Sequence, residues 1–183
     1  MLEFIRIAFY KKSLRKLLET QKRRRLSHNL DSAKTIAILF DATTEKTRRE
    51  IKEYAEELEG KGKKVRLFGY FSIKQPPEGH PFGFFTKQDT TWAGVPKGDK
   101  ALAFAAEKPD ILIYMNPEPC EPLEWLAAAS QAAMKVGFAT EKTNDFDLLL
   151  ETPANKDLQY FTEQLHLYLG KIILTKNESA RAI

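Results

Sequence analysis

Asp41, Thr43, Thr44, Asn116, Glu118 and Glu141 each follow a short apolar run of the sequence. In an α/β protein such positions are the carboxyl ends of strands, where ligands of open sheets sit. These six therefore form a candidate strand-end pocket. Their types exclude several chemistries. A phosphate cradle needs glycines, so that backbone N–H groups can approach the anion at a helix amino terminus. The first such turn, DATTEKT (41–47), has none, and Asp41 would repel a phosphate. Hard cations bind carboxylates, but Asp41, Glu118 and Glu141 lie on separate loops that no spacing ties together. The histidines, His28, His80 and His166, form no ligand spacing, and no G-x-S-x-G elbow is present. No catalytic residue, metal site or cofactor is assigned, and the six read best as helix caps and polar strand ends.

A second set of residues is defined by charge. Lys11, Lys12, Arg15, Lys16, Lys22, Arg23, Arg24 and Arg25 fall within YKKSLRKLLETQKRRRLSHN (10–29). The chain has 29 Lys/Arg against 25 Asp/Glu, and residues 1–34 hold ten of those cations against Glu3, Glu19 and Asp31. The remainder is thus slightly acidic, and the basic pI of about 9.0 belongs to the leader. As a helix over 2–25, the leader sets Ile7, Tyr10, Leu14, Leu17 and Leu18 on one stripe with the cations beside or opposite it. Such a helix can dock on the protein's own body or on a protein partner. It can bind RNA, ribosomal RNA above all, through counterion release. It can also lie on an anionic membrane surface, which Phe4 and Phe9 favour. The dense KRRR followed by polar LSHNLDS favours RNA, and docking one stripe would leave the charged side free. Whether the leader docks or stands free is open at this level.

The elements that must position these residues alternate. KTIAILFDA (34–42) is a continuous apolar run suited to a strand buried on both faces. Residues 43–62 follow as a helix with Ile51, Tyr54, Ala55 and Leu58 on one face, threonines to cap it and glycines to end it. KKVRLFGYF (63–71) completes a βαβ unit. Residues 72–100 break into a Pro/Gly-rich excursion whose aromatics, Trp92 among them, are expected to pin it to the core. Further helices are expected at 99–108, 121–132 and 157–174, and strands at 109–116, 134–139 and 146–151. The pattern predicts an α/β fold: a three-layer, Rossmann-like sandwich with a mostly parallel sheet of about five strands, preceded by a basic helix. Its divisions are a basic arm (1–34), the α/β domain (35–174) and a fraying tail (175–183).

The single cysteine, Cys120, excludes an internal disulfide and fits a cytoplasmic setting. No apolar run approaches the length of a membrane span.

FFTKQDTTWAGVP (84–96), PDILIYMNPEPCEPLEWLAAASQAAMKVGFA (109–139) and NDFDLLLE (144–151) together resemble a small bacterial family of unknown function, which implies a Rossmann-like fold and no particular activity. More distantly, KKVRLFG and DILI…PLEWLAAASQAAMKVGF resemble one half of a heptosyltransferase-type glycosyltransferase. Those enzymes hold a nucleotide-sugar between two such halves. This chain has one, and carries NPEPCEP in place of the glycine-rich donor contact. The expected function is a non-catalytic binding module that meets an anionic partner through its leader. The alternative is a glycosyltransferase-like or nucleotide-handling enzyme working from the strand-end pocket.

Overall fold

A computed structural model describes residues 2–139, 145–153 and 157–174. The first element is helix α1 (Leu2–Thr20). Strand β1 (Thr35–Asp41), helix α2 (Glu45–Gly60) and strand β2 (Lys64–Phe71) follow. A short strand β3 (Gly83–Thr86) runs into a 3-10 turn at Lys87–Asp89, and α3 (Asp99–Ala106) leads back to β4 (Ile111–Tyr114). Helix α4 (Glu121–Ala129), β5 (Met134–Phe138), β6 (Leu148–Leu150) and α5 (Leu158–Lys171) complete the chain.

All neighbouring strands are parallel, in the order β3-β2-β1-β4-β5-β6. The chain builds outward from β1 to β3, then returns to place β4 on the other side of β1. That reversal opens a crevice beyond the carboxyl ends of β1 and β4, the usual ligand position of such sheets. Strands β1 and β4 lie at the centre with nearly every residue buried, which is why their sequences are continuous apolar runs. One face of the sheet packs on α2 and α5, through Ile51, Leu58, Phe161 and Leu165; the Phe138 and Phe161 rings stack at 3.9 Å. The other packs on α3 and α4, through Ala101, Phe104, Leu123 and Leu126. The three layers and parallel sheet are those the sequence predicts.

Six strands form where about five are expected. The added one, β3, arises inside the Pro/Gly-rich excursion and pairs Phe68–Phe71 with Gly83–Thr86. It needs no helix before it, because the aromatics bind it to the layer: the Phe68 and Phe85 rings stack at 5.9 Å, and Tyr70 meets Phe85 at 4.8 Å. Gly69 is required there, since a Cβ would stand 2.7 Å from that of Ala42 and 2.9 Å from the Phe82 ring. Trp92 departs from expectation: it is 63% exposed. Phe85 alone of the excursion's aromatics is fully buried, and the Thr90–Pro96 bridge ties off the loop that carries Trp92.

The leader docks. Tyr10 of α1 is buried, and its hydroxyl donates to the Glu121 carbonyl at 2.8 Å. The Trp125 indole donates to Ser13 Oγ at 3.1 Å, and Arg6 bonds the Glu121 carboxylate. The helix ends at Thr20, five residues short of the expected end. There the Gln21 amide donates to the carbonyls of Ala129 and Ser130, and Leu26 N–H to that of Ala133, drawing the chain onto the α4–β5 connection. The expected frayed tail, 175–183, lies outside the described residues.

Candidate functional site

The crevice at the ends of β1 and β4 brings five of the six strand-end residues together. Asp41, Thr43, Thr44, Asn116 and Glu118, with Ser72 from the end of β2, line a cavity of about 440 Å³. Glu141 lies outside the described residues. Asp41, Thr43, Thr44 and Asn116 are committed to local structure, and the Glu118 carboxylate is exposed. The Asp41 carboxylate accepts from Thr43 N–H at 2.8 Å. Thr43 Oγ1 lies 3.1 Å from Ser72 Oγ and accepts from Ser72 N–H, stitching the end of β1 to that of β2. Thr44 caps α2 by accepting from Thr47 N–H. Arg48 closes the turn by donating to the Ala42 carbonyl at 2.7 Å and to that of Thr43 at 3.1 Å. Asn116 is buried, and its amide donates to the Glu118 carbonyl at 2.7 Å. Capping and turn closure account for these side chains. Among the described residues, no three His, Cys, Asp or Glu side chains are placed to hold a metal ion.

The cationic residues divide into two groups. Arg23 and Arg25 pair with an ionic cluster at the start of β5, Arg23 from within and Arg25 from the surface. Only 2% of the Arg23 side chain is exposed. Its guanidinium bonds both oxygens of Asp147, at 2.8 and 3.0 Å, and the Ala133 carbonyl at 3.0 Å. Arg25 bonds the Asp145 carboxylate. The buried Lys135 ammonium lies 3.0 Å from Asp145 and donates to the Ala128 carbonyl at 2.8 Å. Burial pushes the Lys135 pKa down to about 8, against the opposing pull of Asp145. Three cations and two carboxylates thus clamp the segment after α1 to the edge of the sheet.

Lys11, Lys12, Arg15, Lys16, Lys22 and Arg24 are exposed. Of these, Arg15 meets Glu19 across one helical turn at a long 3.9 Å, a surface pair of small consequence. Because Tyr10 and Ser13 face α4, the helical repeat directs Lys12 and Lys16 to the outside with Arg15 beside Lys12, while Lys11 lies on the other flank, at the edge of the α1–α4 cleft. The same outer stripe continues toward the start of the helix as Phe9, Ile5 and Leu2, spaced i, i+3 and i+7. Phe9 is 54% exposed and packs edge-on against Trp92 with centroids 5.2 Å apart. Phe4 is 80% exposed on the flank.

Sequence reasoning did not place Asp145, Asp147 or Lys135 in any site. The available signal was the acidic NDFD (144–147) in a chain with a cationic leader, and a lysine inside the apolar strand MKVGF. No helix among the described residues is long and apolar enough to cross a membrane.

The model of a family of unknown function, DUF6913, matches residues 6–172, and the chain belongs to that family. The match takes in most of α1 as well as the sheet, so the leader is part of what the family shares. Comparison with curated proteins and with solved structures gave no match. The resemblance to a family of unknown function agrees with this result, and no relative bears out the glycosyltransferase likeness.

Proposed function

We propose that this DUF6913 protein is a non-catalytic binding module that meets an anionic partner through the outer face of α1, and that the partner is an anionic membrane surface. What supports the reading is one observation: the docked helix turns an apolar tip and a cationic belt outward on the same side. Leu2, Ile5 and Phe9, with Trp92 beside them, are exposed at one end, and Lys12 and Lys16 continue their stripe. Full burial of a large apolar side chain is worth roughly 1.5–3 kcal/mol, and each Lys or Arg near an anionic surface adds about 1 kcal/mol. Apolar insertion and headgroup attraction together make a stable interfacial anchor, where either alone is weak.

The cations also suit RNA, and Phe9 and Trp92 could stack on bases. Leu2 and Ile5 favour the membrane, because an aliphatic side chain has no ring face to offer a base and gains from hydrocarbon. The internal pairing of Arg23 and Arg25 also thins the KRRR cluster that favoured RNA from sequence.

Flotation of the full chain with vesicles tests the proposal. Binding is expected with vesicles of phosphatidylcholine and phosphatidylglycerol, and not with phosphatidylcholine alone. It should weaken with salt and be lost on changing Ile5, Phe9 and Trp92 to Ser. Failure to float, with RNA binding kept by that triple variant, would transfer the surface to nucleic acid.

A further inference from the structure

A second chamber lies on the other side of Asn116 from the crevice, between α1, α4 and the ends of β4 and β5. Its volume is about 300 Å³, at the lower end of the range for small-molecule sites. Leu14 and Leu18 of α1 roof it, and Phe138 and Phe146 form its walls. The room comes from Ala127 and Ala128, small side chains where α4 faces α1. The Phe146 ring is fixed, since it meets Tyr114 edge-on at 5.7 Å and lies so close over Gly137 that a Cβ there would stand 2.8 Å from it.

Charge is sorted along this chamber. Helix α1 runs in the same direction as α4: Tyr10 bonds the Glu121 carbonyl, Ser13 meets Trp125 and Gln21 meets Ala129. Lys11 therefore stands at the end where α4 begins, and Glu118, just before Glu121 in sequence, stands at the same end. From that mouth the roof runs on to Leu18, about 10 Å from Lys11 at 1.5 Å per residue. Lys11 and Glu118 are exposed, and neither the ammonium nor the carboxylate has a partner among the described residues. The other acids of the lining are engaged: Glu121 by Arg6, Asp145 by Arg25 and Lys135, and Glu124 by the Cys120 N–H at 3.3 Å. Asn116 holds the mouth in shape, since its buried amide donates to the Glu118 carbonyl at 2.7 Å and meets the Tyr114 hydroxyl.

We infer that the chamber is a binding site for an α-amino acid with a bulky apolar side chain. Its carboxylate would lie against Lys11, its ammonium against Glu118, and its side chain between the leucine roof and the phenylalanine walls. The two charges select a zwitterion: a simple anion meets Glu118 unopposed, and a simple cation meets Lys11. The capacity of the interior, about ten water volumes at ~30 Å³ each, suits a phenyl or indole group. A ligand bound in this way bridges α1 to the segment between β4 and α4 and strengthens the seating of the helix. The inference stands apart from the membrane reading, because Lys11 and the chamber lie on a flank of α1 and not on its outer face.

The test uses three probes that share an indole: tryptophan, tryptamine, which lacks the carboxylate, and indole-3-propionate, which lacks the ammonium. Titration of the full chain, followed by amide NMR and thermal unfolding, should show tryptophan binding and raising the melting temperature. Each of the other two should bind about five- to tenfold more weakly, the worth of one hydrogen-bonded contact. Lys11→Gln should weaken tryptophan by the same factor without weakening tryptamine. Glu118→Gln should weaken tryptophan likewise without weakening indole-3-propionate. Both side chains are exposed, so these variants keep the fold. Leu18→Trp should block all three probes by filling the roof. Absence of tryptophan binding would overturn the inference. So would equal affinity for tryptophan and either analogue, or an affinity for tryptophan that neither glutamine variant reduces.

Discussion

Arg23 keeps only 2% of its side chain exposed, while Arg24 beside it stands in solvent. Arg23→Ala removes a buried guanidinium from two partly exposed carboxylates and from the Ala132 and Ala133 carbonyls, a loss of about 1.5–3 kcal/mol. Arg24→Ala should change stability by less than about 0.5 kcal/mol. Urea unfolding of the two variants measures the contrast, and equal midpoints would mean that the ionic cluster is not formed in solution. Lys135 adds a pH dependence. Its pKa is lowered to about 8 in the fold by burial, against an ordinary 10.5. Between those values the unfolded chain binds more protons than the native one, so this group's contribution to stability rises with pH from about 8. Below 8 both states carry the ammonium, and the cost of burying it is present in full. Lys135→Met should therefore remove a rise in stability that the unaltered chain gains above pH 8, read as the difference between the two profiles from pH 7.5 to 9.5. The upward-shifted Cys120 pulls stability the other way from about pH 9, and Tyr10, Tyr54 and Tyr114 from about pH 10, in both proteins alike, so that difference isolates Lys135. In the crevice, Asp41→Asn keeps an oxygen to accept from Thr43 N–H and should cost no more than about 1 kcal/mol. Turnover of a nucleotide-sugar by the unaltered chain, lost in this variant, would return the crevice to the enzyme reading.

The elements legible in the sequence are those whose burial is uniform or strictly periodic. β1 and β4 are covered on both faces, so their residues are apolar without interruption, and α2 shows Ile51, Tyr54, Ala55 and Leu58 at helical spacing because one stripe meets the sheet. β3 was illegible because GFFT is four residues long and sits among prolines and glycines, and its pairing comes from β2. The crevice was legible because strand ends are marked by the first polar residue after an apolar run. The ionic cluster was not, because Arg23 and Asp147 are 124 residues apart in sequence and only the fold joins them. The end of α1 belongs to the same class. Local sequence allows the helix to run to residue 25, and long-range bonds from Gln21 and Leu26 end it at Thr20. Helix α1 is held by Tyr10, Ser13 and Arg6, so Tyr10→Ala should detach it. We expect a loss of about 3–4 kcal/mol from removing a buried aromatic. Amide exchange should quicken along residues 2–20 while β1 and β4 stay protected, and unchanged protection of α1 would contradict the docking.

Across the whole molecule, charge is sorted along the chain and then re-sorted by folding. The leader holds the excess of cations, the body is slightly acidic, and two acids of the body pair with two of the leader's arginines, drawing Arg23 inward. What remains outside is a face with an aromatic tip and a lysine belt, on a helix whose opposite side is committed to α4. Two tryptophans, Trp92 at the tip and Trp125 against Ser13, make that face directly observable. The decisive measurement is tryptophan emission with anionic vesicles carrying brominated acyl chains, comparing the full chain with Trp92→Phe. The account predicts a blue shift and bromine quenching in the full chain, both absent when only Trp125 remains. Emission from Trp92 that stays at its water-exposed wavelength and escapes quenching at saturating lipid would contradict it.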